Sequence, residues 1–210
     1  MRAETIAITN IDYLDEKLMK DGELVPVSSE YLKTVPQNDI ALWCYRNGVY
    51  CLPTTELIDW LKERIEGKVA VEIGSGNGAI GRALGIRMTD KKTMAIPEIA
   101  SYYKALGQPV TKYPEDVETI DAIGAIKKYR PDVVIGAWIT QLWKKGEDQG
   151  SVYGVDDELL IRSVKEYIHI GNSTIHGKKR AYKIPHVNHS LPFLYSRSMA
   201  ADKNHITIWS

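Results

Sequence analysis

The sequence predicts an α/β domain built on a doubly wound, mostly parallel seven-stranded sheet closed by an antiparallel hairpin. Three observations predict it. Short runs of Val, Ile and Ala alternate with segments of helical period, the pattern that demands parallel strands joined by right-handed crossovers. One of these runs ends in an acid and passes directly into a loop with glycine at every second position, from Val69 to Gly81. After the fifth run, two further strand-like segments follow with only a short polar link between them, which adds antiparallel character.

Residues 1–53 form an extension ahead of this pattern, and residues 54–210 carry the alternating α/β domain. The extension mixes polar stretches with Pro26 and Pro36. Its strongest local signal is Asn47-Gly48 between two apolar runs, which predicts a β-hairpin over residues 42–52. In that register Cys44 would face Cys51, so a cross-strand disulfide is geometrically conceivable. Two sulfurs without a histidine pair at ligand spacing make half a zinc site, so no structural metal is expected. The segment could serve as a substrate cap.

After Pro53, Thr54 or Thr55 caps a helix whose Leu57, Ile58, Leu61 and Ile65 share one face and which ends near Gly67. The first strand follows at Val69–Ile73, then the start of a helix at Ala79 to Leu84, then a second strand over residues 86–90. Proline near N1, apolar residues on one face and a closing glycine predict a crossover helix from Ile96 to Gly107. Pro109–Tyr113 reads as the third strand, Thr119–Tyr129 as the next helix and Asp132–Trp138 as the fourth strand. Gly146–Gly154 is a polar loop, Asp156-Asp157 caps a helix, and Tyr167–Gly171 is the fifth strand. Phe193–Met199 and His205–Trp209 form the closing hairpin.

Gly74, Gly76 and Gly78 allow a sharp turn and close approach of a ligand to bare backbone at a helix start. The spacing fits two cofactor classes. A dinucleotide fingerprint is satisfied by Gly76-Asn77-Gly78-Ala79-Ile80-Gly81, which would suit an NAD-dependent oxidoreductase. Glu72 argues the other way, because a carboxylate a few ångströms from a diphosphate opposes it by on the order of a few kcal/mol at an effective dielectric of ~20. A cationic sulfonium nucleoside meets no such opposition.

Glu72-x-Gly74-x-Gly76-x-Gly78 resembles motif I of the class I S-adenosylmethionine-dependent methyltransferases. The resemblance spans roughly residues 54–210, with motif I its specific part. It implies a Rossmann-like methyltransferase fold with an antiparallel last strand and S-adenosylmethionine as cofactor. The implied cofactor contacts are Glu72, the loop residues Gly74, Ser75, Gly76, Asn77 and Gly78, then Asp90, Asp116 and Trp138. In this scheme Glu72 orients the loop and the methionine end. Asp90 binds the ribose, Asp116 sits near the adenine amino group, and Trp138 follows the fourth strand.

The acceptor expected from these features is a small molecule or a protein side chain, with a non-catalytic cofactor binder of the same fold as the alternative. The residues 137–140, Ala-Trp-Ile-Thr, lack the Pro-Pro element that marks DNA amino-methylating enzymes, and neither cysteine follows a proline as in cytosine-C5 enzymes. Lys and Arg total 27 and Asp and Glu total 27, so bulk charge gives no reason to expect a nucleic-acid or membrane partner. No run of ~18 apolar residues or secretory signal pattern is found, which leads to the expectation of a cytoplasmic protein. His169, His176, His186 and His189 are the possible general bases, and the basic stretch around Lys178, Lys179, Arg180 and Lys183 could steer an anionic acceptor.

Overall fold

A computed structural model of the chain describes residues 10–107 and 110–210. Its centre is a seven-stranded sheet: β1 (Ala70–Ile73), β2 (Arg87–Asp90), β3 (Glu118–Thr119), β4 (Val133–Ala137), β5 (Glu166–Asn172), β6 (Val187–His189) and β7 (Asn204–Trp209). The spatial order is β3-β2-β1-β4-β5-β7-β6. Pairings among β1 to β5 are parallel, while β7 runs antiparallel to both β5 and β6. The chain winds outward from β1 to β3, then returns to place β4 on the other side of β1. That reversal opens a crevice at the carboxyl ends of β1 and β4, where open α/β sheets bind ligands.

Period-two alternation distributes the apolar residues to both faces. On one face Ala70, Val133, Ile135, Ile168, Ile170, Ile206 and Ile208 pack with Leu57, Ile58, Leu61 and Ile65 of helix α2. On the other, Val71, Ile73, Val134, Tyr167 and Trp209 pack with Ala125 and Leu160. The helices of six or more residues among the described residues are, in chain order, α1 (Gln37–Asn47), α2 (Thr55–Ile65), α3 (Ala79–Leu84), α4 (Pro97–Ala105), α5 (Ala122–Tyr129) and α6 (Asp157–Ser163). Thr54 caps α2 by accepting from Leu57 N, and Asp156 caps α6 by accepting from Leu159 N. The fold class predicted from sequence is the one observed. Among the described residues, no helix is long and apolar enough to cross a membrane.

Four local expectations are corrected. The hairpin over residues 42–52 is instead α1 followed by an extended Cys51–Leu52. Ile40, Trp43 and Cys44 are buried at helical spacing, and Gly48 stops the helix in the left-handed conformation at φ 64°. Asn-Gly serves a helix end as well as it serves a hairpin, and the three-four spacing of the apolar residues decides. Both cysteines are free. A hairpin does occur earlier, pairing Met19–Lys20 with Glu23–Leu24. Residues 11 to 52 build their own apolar cluster, which reaches the start of α3 at Ala79.

The third strand is Glu118–Thr119, not Pro109–Tyr113; Pro109 lies outside the described residues, and residues 110–114 are irregular. Pro114 has no N–H to give a ladder. Helix α4 begins at Pro97 as expected, but none of its residues is buried, so it is not a packed crossover element. Finally, the strand expected at residues 193–199 contributes only Tyr195–Ser196, which pairs with Cys51–Leu52 rather than with the main sheet. Val187–His189 takes the sheet edge instead.

Candidate functional site

At the carboxyl ends of β1 and β4 the chain encloses a cavity of 580 Å³. One wall is the glycine loop. Gly74, Gly76 and Gly78 all adopt positive φ, at 56°, 56° and 71°. A Cβ on Gly78 would lie 2.9 Å from both Met88 Sδ and Val117 Cγ2, and one on Gly81 would lie 2.7 Å from Glu72 Oε2. The loop therefore needs glycine for backbone conformation and for space.

The loop is tied to β2 by its own polar groups. Ser75 N donates to Thr89 O at 3.0 Å, and Ser75 Oγ both donates to Thr89 O and accepts from Thr89 N. Asp90 Oδ2 accepts from Gly76 N at 3.0 Å. Asn77 Oδ1 accepts from Ala79 N at 3.0 Å, and Gly78 N donates to Ser75 O at 2.8 Å. Glu72 Oε2 accepts from Gly81 N at 2.9 Å. Five amides of the loop and the first turn of α3 thus have partners inside the protein. A diphosphate seated on such a loop depends on free amides.

Glu72 is 2% exposed, and burial pushes its carboxyl up to about 8. From sequence it is expected to be a free negative charge at the cavity. Buried beside Gly81 where β1 meets the cavity, its carboxyl instead lies above the ordinary carboxylate range, so a full charge guarding the loop is not what the fold favours. What it contributes is the pinning of α3 to β1. Asp90 is likewise raised by burial, though it lines the cavity and keeps two backbone donors, Gly76 N and Lys92 N.

Of the residues predicted from sequence, Glu72, Gly74, Ser75, Gly76, Asn77, Asp90 and Trp138 line this cavity. Gly78 stands behind the loop against Met88 and Val117. Asp116 does not line it: it is an exposed turn residue held by Arg82, and that ion pair holds its carboxyl below the usual range. The acid at the cavity after β3 is Asp121, which caps α5 by accepting from Gly124 N. Its sequence signal was the cap position of an amphipathic helix, obscured by the misplacement of the third strand. Tyr50, Tyr103, Tyr113, Ile139 and Thr140 also line the cavity and were not singled out from sequence.

Trp138 has positive φ, 57°, which is costly for a bulky side chain and marks a position the surrounding structure enforces. Trp138 N donates to Ile170 O at 2.8 Å. The ring packs 6.0 Å from Tyr50 and edge-on at 5.3 Å from His176. Beyond it lies a second cavity of 320 Å³, which shares Tyr50, Trp138 and Thr140 with the first.

None of the four candidate histidines lines the first cavity. His169 is fully buried, neither ring nitrogen has a partner among the described residues, and burial lowers its pKa well below the ordinary value. His176 lines the second cavity, but its Nδ1 accepts from Asn172 N at 3.0 Å, and burial lowers it to about 3. A neutral imidazole whose Nδ1 accepts carries its proton on Nε2, so His176 is a donor. His186 and His189 line neither cavity. The basic stretch is also dispersed: Lys179 is buried on Asp157 at 2.8 Å, and Arg180 is paired with Glu147 and Glu158. Among the described residues no cluster of His, Cys, Asp and Glu could hold a metal.

No protein-family model and no curated protein matches the chain. Among solved structures it is similar to a Thermoplasma acidophilum protein at 14% identity, over 82% of this chain and 95% of that one, with a TM-score of 0.35. It is also similar to a Pyrococcus horikoshii protein provisionally named an RNA methyltransferase, at 14% identity, over 83% of this chain and 95% of that one, with a TM-score of 0.33.

Proposed function

We propose that the chain is an S-adenosylmethionine-dependent methyltransferase whose cofactor occupies the 580 Å³ cavity and whose acceptor is a small molecule. The observation that carries this reading is the glycine loop and the first turn of α3, five of whose amides already have partners within the protein. A phosphate-free nucleoside loses nothing on such a loop, whereas a diphosphate would have to displace Asp90 from Gly76 and then lie beside that carboxylate. This argument replaces the one from the charge of Glu72 and disfavours NAD.

When bound, the cofactor supplies an electrophilic methyl on sulfonium, and the protein supplies alignment and dryness. Asp90, at the end of β2, would accept from the ribose hydroxyls. Asp121, in place of Asp116, would serve the base. The lack of side chains at Gly74 and Gly76 would allow the methionine end to approach the loop backbone closely. Trp138 and Tyr50 line both this cavity and the smaller one. A small acceptor is favoured over a protein side chain because the second cavity, 320 Å³ beside Trp138, is of small-molecule size.

A non-catalytic binder of the same cofactor is the second reading, favoured by the bulk of Trp138 where the two cavities meet. Titration calorimetry with S-adenosylmethionine, S-adenosylhomocysteine and NAD tests the cofactor assignment: binding of NAD alone overturns it. Transfer of labelled methyl to a small-molecule extract separates enzyme from binder.

A further inference from the structure

The smaller cavity beside Trp138 contains a cation without a counter-charge. Arg197 lines it, and no carboxylate among the described residues lies within ion-pairing distance of its guanidinium. Its Nη1 is shut off from solvent without a hydrogen-bond partner, and its Cζ lies 4.4 Å from the Tyr50 ring centroid. The short ladder of Cys51–Leu52 with Tyr195–Ser196 fixes this stack, and Arg197 N extends it by donating to Tyr50 O at 3.1 Å. A guanidinium held rigidly on an aromatic face, partly desolvated and unpaired, is arranged for a planar anion.

The rest of the lining agrees. No Asp, Glu or Lys borders the cavity. His176 presents a ring whose Nε2 carries the proton, so it adds a neutral donor. Trp138, Ile175 and Met199 offer apolar surface for a small hydrophobic body. A carboxylate is already deprotonated at neutral pH, so it can pair with Arg197 without a base in the lining. A phosphate would present more charge than one arginine and one neutral donor compensate.

From this juxtaposition we infer that the 320 Å³ cavity is the acceptor subsite for a small carboxylic acid with an apolar or aromatic body, its carboxylate paired with Arg197 and hydrogen-bonded by His176. The inference rests on the methyltransferase reading only for the word acceptor. The anion subsite itself stands on Arg197 and its surroundings.

Calorimetric titration of benzoate, with benzamide as its neutral isostere, tests the subsite in the full chain with and without saturating S-adenosylhomocysteine. Benzoate is expected to bind at least tenfold more tightly than benzamide, and Arg197→Met to abolish that preference while changing S-adenosylhomocysteine affinity less than twofold. Met199→Trp, at a largely exposed position on the cavity rim, should block benzoate without touching the arginine, which keeps the test valid if the arginine variant unfolds. Equal binding of the two probes, or no benzoate binding to folded protein, overturns the subsite. Failure of S-adenosylhomocysteine to bind, with the benzoate preference intact, would overturn the cofactor assignment and leave the anion subsite standing.

Discussion

Arg82 grips Asp116 through two contacts, Nη2 to Oδ1 at 2.8 Å and Nε to Oδ2 at 2.9 Å, on the outer side of the glycine loop. Glu23 lies on the same guanidinium at 3.5 Å, so Asp116 belongs to a surface ion-pair group that staples the N-terminal segment to α3. Its carboxylate is already committed. Asp121 caps α5 through Oδ1 and lines the cavity, which leaves Oδ2 to meet a ligand, and the two aspartates are therefore distinguishable by mutation.

Asp121→Asn is expected to weaken S-adenosylhomocysteine binding about tenfold, the loss typical of a hydrogen bond to a charged group. Asp116→Asn should leave that affinity unchanged and cost ~0.2–1 kcal/mol of stability, as exposed pairs do. Calorimetry on both variants decides, and a reversed order of effects would return the role to Asp116.

Gly76 has φ 56°, and a Cβ there would meet Thr111 Cγ2 at 3.4 Å on the cavity wall. Gly76→Val forces a β-branched residue into the left-handed region, costing about 1–3 kcal/mol, and puts its methyl groups where the ligand must approach. Far-ultraviolet circular dichroism should be unchanged while S-adenosylhomocysteine affinity falls at least a hundredfold. Retained affinity would remove the loop from the site.

Glu72 has an unfolded-state pKa in the ordinary carboxylate range and a folded-state value raised to about 8 by burial. Between those values the unfolded chain releases the proton that the folded chain keeps, so the stabilising contribution present in acid is lost as pH rises toward 8. Glu72→Gln keeps an acceptor for Gly81 N and removes this titration. Relative to the wild type, the variant should gain on the order of a few kcal/mol between pH 5 and pH 8 in urea unfolding. Parallel pH profiles for the two proteins would refute a raised Glu72.

Lys179 Nζ sits 2.8 Å from Asp157 Oδ1, with both side chains no more than 3% exposed, and Tyr167 OH donates to the same oxygen at 3.1 Å. Removing the acid strands a buried ammonium. Asp157→Ala should therefore destabilise by about 3–5 kcal/mol, and adding Lys179→Met should recover much of that loss. Urea midpoints of the single and double variants measure it, and additivity of the two substitutions would mean that the pair is not coupled.

The strand Ala70–Ile73, its glycine loop and the helix after it were legible because each rests on local rules: an apolar run too short for a helix, glycines where φ must be positive, and a helix start. The same holds for α2 and α6, whose Thr54 and Asp156 caps are sequence-local signals. Asn47-Gly48 misled because one dipeptide ends helices and turns hairpins alike, and only the packing of Ile40, Trp43 and Cys44 into the N-terminal cluster resolves it. The third strand misled because two residues, Glu118 and Thr119, are too few to carry a period.

By itself the sequence determined the alternation of strands and helices, hence a parallel sheet with its ligand crevice beside β1, since hydrophobic periodicity and glycine conformation act over a few residues. Tertiary structure alone decided that Glu72 is enclosed, that Asp121 and not Asp116 meets the cavity, and that Arg197 lies on Tyr50 beside Trp138. Burial and charge pairing depend on which distant segments meet, and a two-residue ladder that joins positions 51–52 to 195–196 leaves no periodic trace in the chain.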